Sequence, residues 1–320
     1  MKKSVVFCRV CAFFLLFALL LPLSACSKYR LELSSKEEGE EMLTLADGTP
    51  VAFEVVRAFY DIYADAYPEE DYATRMGRVE RGICSLYAIF SLCRTMGIDP
   101  NGKTMNEAMD AAVQDMIDAY DTRREYIEAL KARHMTDTVS RLLLRSYLCE
   151  EKLLDAASAK LEGDATVLRA FCEREDVIRV LSMALYYTDA ATESWARGRA
   201  EDIVRALGEA EDSDSGFLSV ARRLATRDSE HTYITKDEWR RLCGDDGTEP
   251  TVGTVSRPLF AEGSCIIMRV TAKDLSYVEA HPAEIGESYA QVLLEEETER
   301  LLASLVRKDA YLALTEARFA

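Results

Sequence analysis

Apolar residues recur along this chain with two different periods, and the change from one to the other divides it. Two short extended runs flank Asp47-Gly48, a turn signal, so a small hairpin is predicted there. After Thr49-Pro50 the period becomes helical, with Phe53, Val56, Tyr60 and Tyr63 on one face. Met76 to Met96 is a second striped helix, stopped by Gly97 and the turn-forming Asp99-Pro100-Asn101-Gly102. A third runs from about Met105 to Tyr120, with a continuation to Arg133 left open. The strongest stripe is Val139, Leu143, Tyr147, Leu154, Ala157 and Leu161, with Thr136 or Asp137 placed to cap its start. At Val177 the pattern breaks: "VIRVLSMALYY" is β-branched and apolar throughout, as a buried strand is. A helix follows with Ala196, Ile203 and Leu207 inward, then a shorter one with Phe217, Val220, Ala221 and Leu224 at i, i+3, i+4 and i+7. "GTVSRPLFAEGSCIIMRV", Gly253 to Val270, predicts a second hairpin turning at Glu262-Gly263. The tail returns to helix, Ala283 to Arg307, with Pro282 in its first turn and a stripe of Ile285, Tyr289, Leu294, Leu301 and Leu305 that it cannot bury alone. The stripes mean packing and imply no site by themselves. No internal repeat is present, and strand, helices and strands within about ninety residues make one α+β unit in a mainly helical chain.

The first residues have another pattern. Lys2, Lys3 and Arg9 precede an apolar run from Val10 to Leu21, too short to span a bilayer comfortably and ending in small residues, as an export signal does. Leu23-Ser24-Ala25-Cys26 resembles a bacterial lipobox, which implies cleavage before Cys26 and lipid on that residue. Several acyl chains at one point anchor stably, whereas a single chain binds reversibly. Ser27 to Glu41 is polar, charged and aperiodic, a tether reaching on the order of 20 Å. Removing the signal takes away three positive charges and no negative ones, so the formal charge goes from −17 to −17 − 3 = −20. Such acidity argues against nucleic acid and against docking onto anionic lipid.

Composition also limits the chemistry. Of nine cysteines, Cys8, Cys11 and Cys26 belong to the signal and lipobox, leaving Cys84, Cys93, Cys149, Cys172, Cys243 and Cys265. None forms a C-x-x-C pair, and His134, His231 and His281 stand far apart, so metal-ligand spacing is absent and no cofactor is implied. Most of the six sit in apolar positions, where a free Cys behaves as a small hydrophobe; export leaves some pairing open. Too few histidines exist for a Ser/His/Asp set, "GEAEDSDSG" lacks calcium-loop spacing, and Glu295-Glu296-Glu297 is a solvated helix face.

Two features together resemble one family. "YIEALKARHMTDTVSRLLLRSYLCEEKLL", with the earlier "LADGTPVAFEVVRAFY", is similar to the N-terminal chaperone domain of SurA-, PrsA- and trigger-factor-like foldases. The α+β stretch resembles a parvulin-type peptidyl-prolyl isomerase domain through Phe217 and Ala221, Gly253-Thr254-Val255-Ser256-Arg257-Pro258, and Gly263-Ser264-Cys265-Ile266-Ile267. The resemblance covers most of residues 42–320 and lies in the order of loose motifs. It implies that the final helix folds back on the N-terminal helices, with the parvulin-like part inserted in a discontinuous helical domain. The expected organisation is signal peptide 1–25, lipidated Cys26 and tether 26–41, helical chaperone domain 42–176, parvulin-like domain 177–272 and returning C-terminal helix 273–320.

Peptide-bond rotation costs about 18–20 kcal/mol, and a parvulin lowers it in an apolar slot floored by two histidines. Carried onto this chain, the resemblance puts Met183 at the first histidine and Cys265 at the second. The Ser-x-Asp and Gly-Gly phrases have drifted too: Ser229 stands, His231 takes the aspartate's place, and no Gly-Gly follows. Met183 and Cys265 can line a pocket or fill one. No catalytic residue is assigned. The expectation is a lipid-anchored extracytoplasmic foldase whose parvulin-like domain is weak or inactive, holding unfolded or nascent exported polypeptides on an apolar cradle between the N-terminal helices and the terminal helix. Two alternatives stay open: an active isomerase with a remodelled pocket, and an interaction lipoprotein reusing the scaffold for one partner.

Overall fold

The computed structural model describes residues 39–244, 249–261, 263–273 and 275–319. The signal, the lipobox Cys26 and most of the tether lie outside them. The described residues divide into two compact units, one running to Ala156 and resuming at Ala290, the other Ala157–Tyr289. The chain is a mainly helical α+β fold with two small antiparallel sheets, and in chain order the second unit interrupts the first. The sequence reading divides the chain at 176/177 and 272/273, and contact clustering at 156/157 and 289/290, so the helices Ala165–Glu175 and Leu275–Ala280 and the ends of two long helices fall in the second unit.

In the first unit β1 (Glu41–Thr44) and β2 (Pro50–Ala52) form the expected hairpin. Gly48 takes φ +83° at its tip, and Asp47 Oδ1 accepts the Thr49 amide at 2.9 Å, an Asx turn. Five helices follow: α1 (Phe53–Ala66), α2 (Tyr72–Thr95), α3 (Lys103–Asp118), α4 (Arg123–Lys131) and α5 (Asp137–Gly163). The third predicted helix does not continue to Arg133. Thr122 stops it by capping a new one, its Oγ1 accepting the Glu125 amide at 3.2 Å, and the stripe passes across this break. Thr136 caps α5 through the Val139 amide at 3.1 Å.

The tail completes this unit. The second half of α11 (Gly286–Ala303) packs Leu301 on the N-terminal helices, and β7 (Val306–Arg307) then adds to the free edge of β1, giving the order β2-β1-β7. After α12 (Asp309–Leu312), Phe319 stacks on Tyr60 with ring centroids 3.9 Å apart and meets Phe53 at 5.8 Å. Buried Arg75 holds this corner, donating to Tyr60 Oη at 2.9 Å and to the Glu70 carbonyl at 2.8 Å. Arg81 pairs with Glu295 at 2.8 Å and with Glu299, while Arg307 Nε reaches Glu80 at 2.6 Å.

The second unit is built on a four-stranded antiparallel sheet, order β4-β3-β6-β5, from β3 (Ile178–Tyr186), β4 (Arg227–Ile234), β5 (Leu259–Ala261) and β6 (Ser264–Ala272). Around it lie α6 (Ala165–Glu175), α7 (Ala190–Glu209), α8 (Asp214–Leu224), α9 (Lys236–Cys243) and α10 (Leu275–Ala280). β4 and α9 are absent from the periodicity. "RDSEHTYI" is largely polar, and α9 buries only Trp239 and Cys243, one contact per turn. The ends of α5 and α11 also belong here, and they meet at Gly286, where an added Cβ falls 1.9 Å from Ser158 Oγ and 3.0 Å from Ser158 Cα.

Two glycine substitutions separate packing from propensity. Gly198, in the interior of α7 with open space around it, gains helix propensity on Gly198→Ala, so the unfolding midpoint should rise by about 0.5–1 kcal/mol equivalent. Gly286→Ala, at the first residue of α11, drives a methyl into α5, so it should lose about 1–3 kcal/mol. Urea denaturation followed by circular dichroism reads both, and a stabilised Gly286→Ala would show that the helices do not touch there.

Candidate functional site

Which way each strand residue points is fixed by the pairing of β3 with β6. Met183 is opposite Ile267, and Leu185 is opposite Cys265, so Met183 and Cys265 are diagonal neighbours on one face. The structure therefore brings the two pocket positions together. That face is covered by α7 and α8: Leu181, Met183, Leu185, Cys265 and Ile267 pack under Ala196, Ala200, Ile203, Phe217, Val220 and Ala221. Met183 is 2% exposed and Cys265 1%. Small alanines let α7 lie close, its spacing from 196 to 200 putting both on the sheet. At the β5 edge Phe260 continues the Cys265 row, and the Arg197 guanidinium lies over its ring at 4.2 Å. The Arg199 Nε donates to the Leu224 carbonyl at 3.1 Å, tying α7 to the end of α8.

Met183 and Cys265 thus fill a core instead of lining a slot. Burial pushes the Cys265 thiol up to about 11, against a small opposing effect of Arg197, so at neutral pH it is a thiol and not a nucleophile. His231 is exposed on β4 opposite Leu181, with its pKa lowered by desolvation and then by Arg179. Ser229 falls in β4, its side chain outside what the structure describes.

The "GTVSRP" stretch is explained by packing as well. Gly253 adopts φ +93°, a left-handed conformation that favours glycine, and its amide donates to the Val270 carbonyl at 2.9 Å. Ser256 is buried: its amide donates to the Met268 carbonyl at 2.8 Å, and its Oγ accepts the Met268 amide at 2.9 Å. Buried Arg269 donates to the Gly253 carbonyl at 3.0 Å and to Asp212 at 2.7 Å, pinning the stretch to the start of α8. Among the described residues no group of three or more His, Cys, Asp or Glu is placed to hold a metal ion.

The opposite face of the sheet is half covered. Ile178, Val180, Met268 and Val270 lie under Trp239 and Cys243 of α9. The face continues in the rows Ser182 with Met268, Ala184 with Ile266 and Leu259, and Tyr186 with Ser264, and Leu259 and Ile266 pack half-buried against the Trp239 cluster. Tyr186 is 44% exposed, and Ser182, Ala184, Leu259, Ser264 and Ile266 are half-buried. This shelf, mostly apolar with hydroxyls at Ser182, Tyr186 and Ser264, is the candidate site. Sequence reasoning missed it because it followed single motif positions. The signal was the alternation itself: if Met183 and Leu185 are in the core, Ser182, Ala184 and Tyr186 cannot be.

The expected cradle in the first unit is not an open groove. Between the N-terminal helices and the tail, Leu301, Leu305, Tyr311, Leu314 and Phe319 are buried in one core with Phe53, Phe59, Ile83 and Phe90. The terminal helix fills the space it was expected to border.

No family model and no curated protein matches the chain. Among solved structures, the foldase protein PrsA of Lactococcus lactis is 12% identical, covering 88% of this chain and 99% of its own, with a TM-score of 0.26. PrsA of Streptococcus pneumoniae is 10% identical over 84% of this chain and 96% of its own, with a TM-score of 0.29. A SurA-like chaperone structure from Campylobacter jejuni is 10% identical over 84% of this chain and 99% of its own, with a TM-score of 0.23. The chain is similar to PrsA- and SurA-like foldases along most of its length.

Proposed function

We propose that this protein is a foldase-type holding chaperone that takes unfolded or nascent exported polypeptides, reversibly, on the open half of its second sheet, without efficient prolyl isomerisation. One observation carries this: the two positions where isomerase histidines would stand are sealed under α7 and α8, while the other face leaves an apolar, hydroxyl-lined shelf accessible. Holding needs exposed apolar surface and no catalytic group. An extended segment suits it, because alternate side chains can lie on Tyr186 and Ile266 while the backbone meets the serines. From the sequence, the export signal and the lipobox-like Leu23-Ser24-Ala25-Cys26 support an extracytoplasmic location with a lipid anchor at Cys26. Among the described residues no helix is long and apolar enough to cross a membrane.

Full-length protein added to a diluted, unfolded exported protein should lower light scattering from aggregation at stoichiometric ratios. Tyr186→Glu should weaken that effect severalfold with its own melting curve unchanged, whereas Val204→Ser, at an exposed position of α7, should leave it intact. Equal activity of Tyr186→Glu and wild type would place capture elsewhere, and no suppression by wild type would end the chaperone reading.

A refolding reaction limited by a proline isomerisation should proceed at its uncatalysed rate with this protein present. A clear acceleration, lost on Cys265→Trp but kept in Tyr186→Glu, would restore the isomerase.

A further inference from the structure

Six cysteines lie among the described residues and all are buried thiols, yet only some of them have another sulfur in reach. Cys84, Cys172 and Cys265 have charged side chains as their electrostatic neighbours: Glu80 and Arg307 for the first, Glu279 and Glu173 for the second, Arg197 for the third. Cys93 and Cys149 differ. Cys93 stands near the end of α2, Cys149 in the middle of α5, and both are 0% exposed in the core of the first unit. The Cys93 Sγ lies 3.4 Å from the Cys149 carbonyl oxygen, and the two thiols are themselves within hydrogen-bonding reach. A thiol is a weak donor, so the reduced pair leaves two sulfurs in contact at little energetic return. Two helices from distant parts of the chain put them there, with Val139, Leu153 and Phe90 in the same core.

The geometry points to Cys93 and Cys149 as the seat of one intramolecular disulfide that ties α2 to α5 within the first unit. The oxidant is a disulfide, RSSR, either a small thiol dimer or a dithiol-disulfide oxidoreductase. While the chain is still open, the Cys149 thiolate attacks one sulfur of RSSR, forms the mixed disulfide and releases RS⁻, which takes up the proton. Packing of α2 on α5 then delivers the Cys93 sulfur to the Cys149 sulfur, the mixed disulfide breaks, and the second RSH leaves with the Cys93 proton. Two thiols have lost two electrons and two protons, and one RSSR has become two RSH. In the closed bond the two sulfurs stand about 2.05 Å apart. Nothing in this inference depends on what the protein binds.

The test is to unfold the full chain with reductant, refold it in oxidised and reduced glutathione, block free thiols and digest with trypsin without reduction. The expected product joins the peptide from Gly82 to Arg94 with the peptide from Ser146 to Lys152. Because the first peptide also holds Cys84, the link must persist in Cys84→Ser and vanish in Cys93→Ser. Oxidation should raise the urea midpoint of wild type by about 1 M and leave that of Cys93→Ser unmoved. Free thiols at both positions after oxidative refolding, or a link through Cys84, overturns the assignment.

Discussion

The register of β3 against β6 is the constraint on which the second unit depends. Their pairing runs from Arg179 with Ala272 to Tyr186 with Ser264, at the middle of a sheet whose other strands each pair on one side only. In a strand successive side chains alternate faces, so a slip by one residue would exchange every buried position for an exposed one. A slip of β3 would put Ser182, Ala184 and Tyr186 under α7 and α8, and Leu181, Met183 and Leu185 on the open side. The bulk of Leu181, Met183, Leu185 and Ile267 against the small alanines of α7 forbids it. The same pairing that closes the core therefore decides which residues remain to meet a ligand.

The first unit depends on a different closure. Its N-terminal hairpin has a free edge, and that edge is taken by two residues from near the end of the chain, Val306 and Arg307. An edge so capped cannot pair with another chain. The Tyr60–Phe319 stack and buried Arg75 hold the chain after it, and the guanidinium reaches the hydroxyl of Tyr60 and the turn before α2 at once. Truncation of the tail would open both a sheet edge and an aromatic core. A cradle bordered by this tail is thus physically expensive: exposing it to a client means first removing Leu301 and Leu305 from the core they complete.

Much of the architecture was legible in the chain. The stripes of α1, α2 and α5, the turn at Asp47-Gly48, the strand at Val177 and the alanine face of α7 are all local, and each stands near where its pattern placed it. What failed was non-local or weakly patterned. The break between α3 and α4 depends on one threonine cap, β4 is too polar to announce itself, and α9 contributes two apolar residues. The candidate site was the least legible part. Matching "LSMALYY" to a family phrase located Met183 in sequence, but the face it occupies is decided by partners 84 residues away, Met183 with Ile267, in the paired register. A motif position says which residue stands there; only the pairing says whether solvent can reach it.

The size of the shelf sets how such a protein can work. A client segment burying roughly 200 Å² of apolar surface on Tyr186, Ala184, Ile266 and Leu259 gains about 5 kcal/mol. Loss of translational and rotational freedom on association takes most or all of that back. Contact on the shelf alone is therefore weak and short-lived, which suits a protein that must release what it holds. The formal charge, −17 − 3 = −20 once the signal is removed, acts in the same direction, because it repels acidic chains and keeps neighbouring copies apart. Useful occupancy then has to come from local concentration. Two partners confined to the same surface meet at an effective concentration set by their tethers, and a weak contact is occupied more fully there than in free solution. The proposed lipid on Cys26, with the polar run after it, would supply that confinement. In this reading an anchor would add to the binding that the shelf provides, by raising how often the two partners meet.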